Sequence, residues 1–293
     1  MEEHVKNRPA LSCIIIFVIC GFARLIEYFA IRTDETVIAE NFLHKAFGII
    51  LLAIILHSLH SGWQSIGFVK NGIASGLVKG LALGGCCFLP AYSIECLLLY
   101  HINQNVSLSF YVSGFSLNGE TAAHRSLFFL LLCIVFNIIN VWMEEGVFRG
   151  LFMKILAPKH GFTRAALLIA FLFGIWHWVM PLRDYADGNT FLANLLVMGI
   201  GYLILAGIMS VKWSVLYKMT GTLWMGLGDH LLNNVLVTNL LHVVSNHEAD
   251  RMQIVRIIIG QVLSFSVVML YDRKNGDASG VIRGKRHADF SRD

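Results

Sequence analysis

Eight apolar stretches, each close to the length of a bilayer-crossing helix, follow one another along this chain with only short polar interruptions. They cover about residues 11–31, 42–58, 76–99, 126–156, 164–181, 190–211, 221–243 and 252–271. A helix that crosses the hydrocarbon core needs roughly 20 apolar residues. Lipid offers no partner to backbone N–H and C=O groups, so runs of this kind are predicted to be helices and not strands. At 56% hydrophobic and 14% charged residues, the chain is too apolar for an ordinary soluble domain. The expected fold is therefore all-α, a polytopic membrane bundle of about eight transmembrane helices forming a single domain over 1–271. The run from Leu11 to Phe22 imitates a signal-peptide core, but Arg24 and Glu27 follow it where a small-x-small cleavage site would stand, so a retained first helix is expected.

Eight crossings put both termini on one side. Lys and Arg number 15 on that side against 6 on the other, and the positive-inside rule places both termini in the cytoplasm. The last two cations, Arg24 and Arg149, fall within spans and need partners there. Residues 272–293 carry Arg273, Lys274, Arg283, Lys285, Arg286 and Arg292 among Asp, Gly and Ser. That composition predicts a disordered, solvated cytoplasmic tail drawn to anionic headgroups. No motif or aromatic interleaving supports nucleic-acid binding.

Several lesser features have structural readings. Cys13, Cys20, Cys86, Cys87, Cys96 and Cys133 lie in apolar runs without metal-type spacing and read as small packing residues. Gly76, Gly80 and Gly84 share a helical face that would let a neighbouring helix approach closely. Arg24 and Glu27 are spaced to pair across one turn. His57 and His60, at a predicted span end, and His242 and His247, in a predicted external loop, are expected to be solvated. Trp63, Trp178 and Trp213 fit an interfacial belt.

Chemistry concentrates in three clusters: Glu144-Glu145-Gly-Val-Phe-Arg149, Phe173-Gly-Ile-Trp-His177 and His230-Leu-Leu-Asn-Asn234. Ionisable groups at bilayer depth are costly unless paired or hydrated, which makes them functional candidates. At 100° per residue Asn137, Asn140 and Glu144 line one face of the fourth span. Glu145 and Arg149, four apart, are placed to pair, which leaves Glu144 free for chemistry. Glu144 and His177 lie 15 residues before and 18 after Lys159, hence at similar depth on antiparallel helices. His230 and Asn234 can reach the same layer. A carboxylate and a histidine can deprotonate a water, and a second histidine with an asparagine can donate hydrogen bonds to an oxyanion. Neither Ser nor Cys stands in these clusters with a base at helical spacing, which argues against a covalent nucleophile.

The motifs EExxxR, FxxxH and HxxxN resemble those of the CPBP family (CAAX proteases and bacteriocin-processing enzymes, also called Abi), which includes the type II CAAX prenyl endopeptidases. They match at Glu144, Glu145 and Arg149, at Phe173 and His177, and at His230 and Asn234. The motif match covers about 140 to 234, within a CPBP-like core of about 126–243. The resemblance implies eight helices around an intramembrane catalytic cavity, with Glu144 and His177 activating water and His230 and Asn234 stabilising the oxyanion. Glu145, Arg149 and Phe173 would support them. The sequence lacks HExxH, so no cofactor is favoured; a zinc ion, if bound, would take Glu144, His177 and His230.

The resulting expectation is an intramembrane endopeptidase acting near the cytoplasmic membrane face of a bacterial cell. Its substrate would be a CAAX-type terminus or a peptide such as a bacteriocin precursor, and its other partner the membrane lipids. The alternative is a non-catalytic peptide-binding membrane protein such as a bacteriocin self-immunity factor. A proton-coupled transporter is disfavoured because no inverted repeat is visible.

Overall fold

In the computed structural model, which describes residues 2–36, 40–102, 104–113 and 123–278, apolar side chains face outward and charged ones inward. Phe22, Val78, Leu89, Val197 and Leu270 are each more than 60% exposed, while Arg149, Arg183, Lys212 and Arg256 are almost wholly buried. Such an inversion suits a hydrocarbon solvent, in which polar groups find partners only inside the bundle.

The chain forms α1 (Glu2–Asn7), α2 (Pro9–Ile26), α3 (Leu43–Ser58), α4 (Ile73–His101), α5 (Leu127–Glu144), α6 (Met153–Trp176), α7 (Val179–Ala186), α8 (Leu192–Thr220), α9 (Trp224–Leu231) and α10 (Gln253–Ala278). Wider π-helical turns extend α2 over Glu27–Ile31, join α5 to α6 over Glu145–Phe152, and continue α9 over Leu232–Leu240. Five stretches among the described residues are long and apolar enough to cross a membrane: Pro9–Glu35, Ile73–His101, Leu127–Ala186, Leu192–Thr220 and Gln253–Lys274.

The eight expected crossings differ from these five stretches in three places. Leu127–Ala186 merges two crossings. At about 1.5 Å per residue, Glu144 and Trp176 would stand nearly 50 Å apart on a straight helix, yet the Trp176 indole donates to Glu144 at 2.9 Å. The chain reverses at Gly161, midway between them, where φ is +75° and an L side chain would be strained. The second crossing, α3, has only 16 residues. The seventh is broken into α9 and a π segment, and it ends at Leu240 instead of 243.

Beyond Leu240 lies a small antiparallel sheet that the hydropathy pattern did not disclose: β1 (Val106–Phe110), β2 (Leu241–Ser245) and β3 (Glu248–Ala249), in the order β1-β2-β3 with Val106 opposite Ser245. His242 is therefore not a solvated loop residue. It is buried, stacked on Tyr111 at 4.0 Å, and bonded to Asp250 at 2.5 Å. Asp250 in turn accepts from Arg256, which also bonds Glu95. His57, His60 and His247 are exposed, as expected.

The glycine stripe packs α4 onto α9. A β-carbon on Gly80 would stand 2.1 Å from the Met225 carbonyl oxygen, and one on Gly76 would stand 2.5 Å from Trp224. Gly228 makes the reciprocal approach to Leu77. This contact fixes the helix that carries His230. Four of the cysteines are buried, Cys96 is half-buried and Cys86 is exposed, and all six are free thiols.

The expected Arg24–Glu27 pair does not form. Glu27 accepts instead from Thr33, from the Leu43 and His44 amides and from the His44 ring, because the π turn after Ile26 carries it toward α3. The predicted disordered tail begins as helix, since α10 runs on to Ala278 and Lys218 pairs with Asp272 at 2.6 Å. The remainder of that tail, 279–293, lies outside the described residues.

Candidate active site

Glu144 ends α5 and the wider turn begins at Glu145, so the two neighbouring carboxylates leave the helix on diverging paths. Segments of π-helix are frequent at functional sites because one extra residue per turn re-aims side chains. Glu144 is 4% exposed and Glu145 is fully buried. Glu144 Oε1 accepts from the Trp176 indole at 2.9 Å, and Oε2 lies 3.6 Å from His230 Nε2. Glu145 Oε1 accepts from His230 Nδ1 at 3.0 Å. The His230 ring is thus held between the two acids, and it stacks on Trp213 with centroids 3.9 Å apart.

Glu145 and Arg149 approach to 3.4 Å, as their spacing predicts, but without hydrogen-bond geometry. The wider turn carries the guanidinium aside, onto the face of Phe173 at 3.9 Å and toward Trp213 at 4.8 Å. Its charge is met by aromatic faces and by Glu145 together. Phe173 thereby acquires a specific task as the platform under Arg149.

His177 follows the end of α6 and is half-buried. Its Nδ1 bonds the Phe173 carbonyl oxygen at 2.7 Å. A carbonyl only accepts, so the proton sits on Nδ1 and the neutral ring presents the lone pair of Nε2. No hydrogen bond or ion pair joins His177 to Glu144 directly; the adjacent Trp176 makes that connection. The other face of His177 lies parallel to Tyr202 at 6.0 Å. Tyr202 also lines a cleft of about 190 Å³ between α7 and α8, with Met180, Asp184 and Met198.

Asn234 stands one turn beyond His230, on the π continuation of α9. Its Oδ1 accepts from Asn233 Nδ2 at 3.0 Å. Asn137, on the predicted polar face of α5, is turned back on its own helix and donates to the Cys133 carbonyl.

Sequence reasoning missed five residues here. Trp213 is no belt residue: it is 1% exposed and forms the wall behind His230. Trp176 carries the bond to Glu144, and its other face meets Arg24, whose guanidinium carbon lies 4.4 Å from the ring centroid. Lys212, assigned to a loop when the sixth span was ended at 211, is fully buried inside α8. It pairs with Asp229 at 2.5 Å and donates to Gln261 and Ser264. The signal for Lys212 and Asp229 was a pair of ionisable residues inside or abutting apolar runs. Gln261 carried no signal.

Among the described residues no group of three or more His, Cys, Asp and Glu side chains lies close enough to hold a metal ion. His230 turns Nδ1 to Glu145 and His177 turns Nδ1 to a carbonyl, which leaves Nε2 as the remaining lone-pair atom of each ring.

Residues 126–236 match the family described as Type II CAAX prenyl endopeptidase Rce1-like, and all seven motif residues fall within that range. No curated protein and no solved structure matches the chain. The matched segment is similar to the type II CAAX prenyl endopeptidases, a family of intramembrane proteases, and the long apolar helices make the protein an integral membrane protein.

Proposed function

We propose that this protein hydrolyses a peptide bond inside the helical bundle with a glutamate-activated water. The observation that carries this reading is that Glu144 lies 3.6 Å from His230 while the rings of His230 and His177, from separate segments, both pack on Phe173, at 6.4 and 4.7 Å. The Trp176 bond occupies Glu144 Oε1 and leaves Oε2 to take a proton from water, with Nε2 of His177 as the second acceptor. The water oxygen attacks the carbonyl carbon, and negative charge collects on the former carbonyl oxygen. A proton held by Glu144 can pass to His230 Nε2, 3.6 Å away. His230 Nε2–H and Asn234 Nδ2–H would then donate to that oxyanion. Collapse breaks the C–N bond, and the departing nitrogen takes the proton.

We assign the chemistry to the half of the membrane nearer the termini. The N-terminal segment meets the hairpin there, through Lys159 and the Asn7 carbonyl, and α10 ends beside Lys218. His230 follows the turn at Gly221 by nine residues, roughly 13 Å of helix rise. With the termini in the cytoplasm, a CAAX-type or precursor peptide would be taken from the cytoplasmic face of a bacterial membrane.

The test is cleavage of a peptide library by the reconstituted chain. Glu144→Gln and His177→Ala are expected to abolish cleavage while melting as the wild type does. Cleavage that persists in both refutes the mechanism. A wild-type chain that binds peptides without cutting them supports the non-catalytic immunity reading instead.

A further inference from the structure

We propose that Lys212 and Gln261 are positioning residues that set which end of the Asn234 amide faces the substrate, an assignment that rests on the proteolytic reading above. Four side chains form one directed chain. Lys212 Nζ donates to Gln261 Oε1 at 2.7 Å, Gln261 Nε2 donates to Asn233 Oδ1 at 3.0 Å, and Asn233 Nδ2 donates to Asn234 Oδ1 at 3.0 Å.

The direction is forced from one end. An amide could be turned over at little cost if its neighbours accepted either orientation, since each has one donor side and one acceptor side. An ammonium has three donors and no acceptor. Lys212 spends its donors on Asp229, Gln261 and Ser264, so the oxygen of Gln261 must face it. The Gln261 NH₂ group then faces Asn233, whose oxygen must turn toward it, and the Asn233 NH₂ group in turn requires the oxygen of Asn234. The Asn234 NH₂ group is what remains to face the substrate. Turning Asn234 over would set two NH₂ groups against each other next to a fully buried lysine.

An oxyanion needs a donor, and the wrong end of the amide would repel it. The ion pair with Asp229, the residue before His230, anchors Lys212 at 2.5 Å. Gln261 and Ser264 are both fully buried in α10. They lie outside residues 126–236, so the polarity of a site residue in the matched segment is set by a helix beyond it.

The test uses the full chain and a quenched-fluorescent peptide that the wild type cleaves and Glu144→Gln does not. Gln261→Glu keeps the shape and the contact with Lys212 but cannot donate to Asn233 as a carboxylate. Asn233→Asp interrupts the next link in the same way and serves where Gln261→Glu fails to fold. Each is expected to lower kcat by about 100-fold, the effect of losing one oxyanion donor, with KM unchanged. In an Asn234→Ala background neither is expected to lower it further, because the group they orient is gone. A wild-type rate in both variants, or losses that multiply with Asn234→Ala as a general packing defect would, overturns the assignment. A wild-type chain that cleaves no peptide overturns the proteolytic reading together with it.

Discussion

Removing the charge of Asp229 tests how the buried polar core of this bundle is held. Lys212 is fully buried and Asp229 is 1% exposed, and their ion pair is 2.5 Å long. Asp229 Oδ2 also accepts from the Trp213 indole at 2.8 Å. Asp229→Asn keeps the size and one acceptor oxygen but strands an ammonium in a low-dielectric interior. Breaking a buried pair from one side costs about 3–5 kcal/mol, and the surviving acceptor puts this case near the lower end. At roughly 2–4 °C per kcal/mol for chains above 150 residues, the melting temperature in detergent is expected to fall by on the order of 10 °C. Lys212→Met with Asp229→Asn removes the stranded charge, and replacing a buried pair by uncharged groups is often close to neutral. The double variant should therefore recover more than half of the loss in stability, while its turnover falls below the wild type's, because Gln261 no longer faces a donor. A single variant as stable as the wild type, or a double variant no more stable than the single, would refute the reasoning.

Three further outcomes are expected. Gly80→Ala sets a β-carbon 2.1 Å from the Met225 carbonyl oxygen and 2.7 Å from the Asp229 amide nitrogen, so it should cost at least about 1–3 kcal/mol and lower activity by displacing His230; Gly85→Ala, whose β-carbon meets only Leu232 at 3.9 Å, should match the wild type in both thermal melts and cleavage. Burial pushes the Asp250 carboxyl up, but hydrogen bonds and charge from His242 and Arg256 outweigh it and hold the group below the usual carboxylate range. A lowered folded-state value stabilises above the unfolded value of about 3.9 and is lost as pH falls through the folded one, so Asp250→Asn should melt lower than the wild type at pH 7, with the gap closing in acid; an equal gap at both pH values would contradict this. Finally, the donor geometry holds no metal set among the described residues, so treatment with a chelator should leave cleavage unchanged, and loss with recovery on adding zinc would overturn the glutamate mechanism.

The sequence alone settled the solvent of this protein and marked the candidates for its chemistry. Apolar runs near 20 residues admit only backbone that pairs within itself, and the acids, imidazoles and amide at 144, 177, 230 and 234 stood out against that background because lipid tolerates such groups only inside a bundle. The glycine stripe of α4 was legible for the same reason, since its spacing already described a face.

Orientation and partnership were not legible. A rule of 100° per residue pairs Glu145 with Arg149 and Arg24 with Glu27; the first pair does form, at 3.4 Å but without hydrogen bonds, and the second does not, because the helix widens into π turns that hydropathy cannot register. Trp213 and His242 looked interfacial because burial depends on what packs from elsewhere in the chain, α9 in one case and the small sheet in the other. Gln261 is the clearest instance. A single amide in an apolar helix says nothing until α8 and α9 bring Lys212 and Asn233 to either side of it, because hydrogen-bond direction belongs to the whole chain of donors and acceptors and not to any one residue.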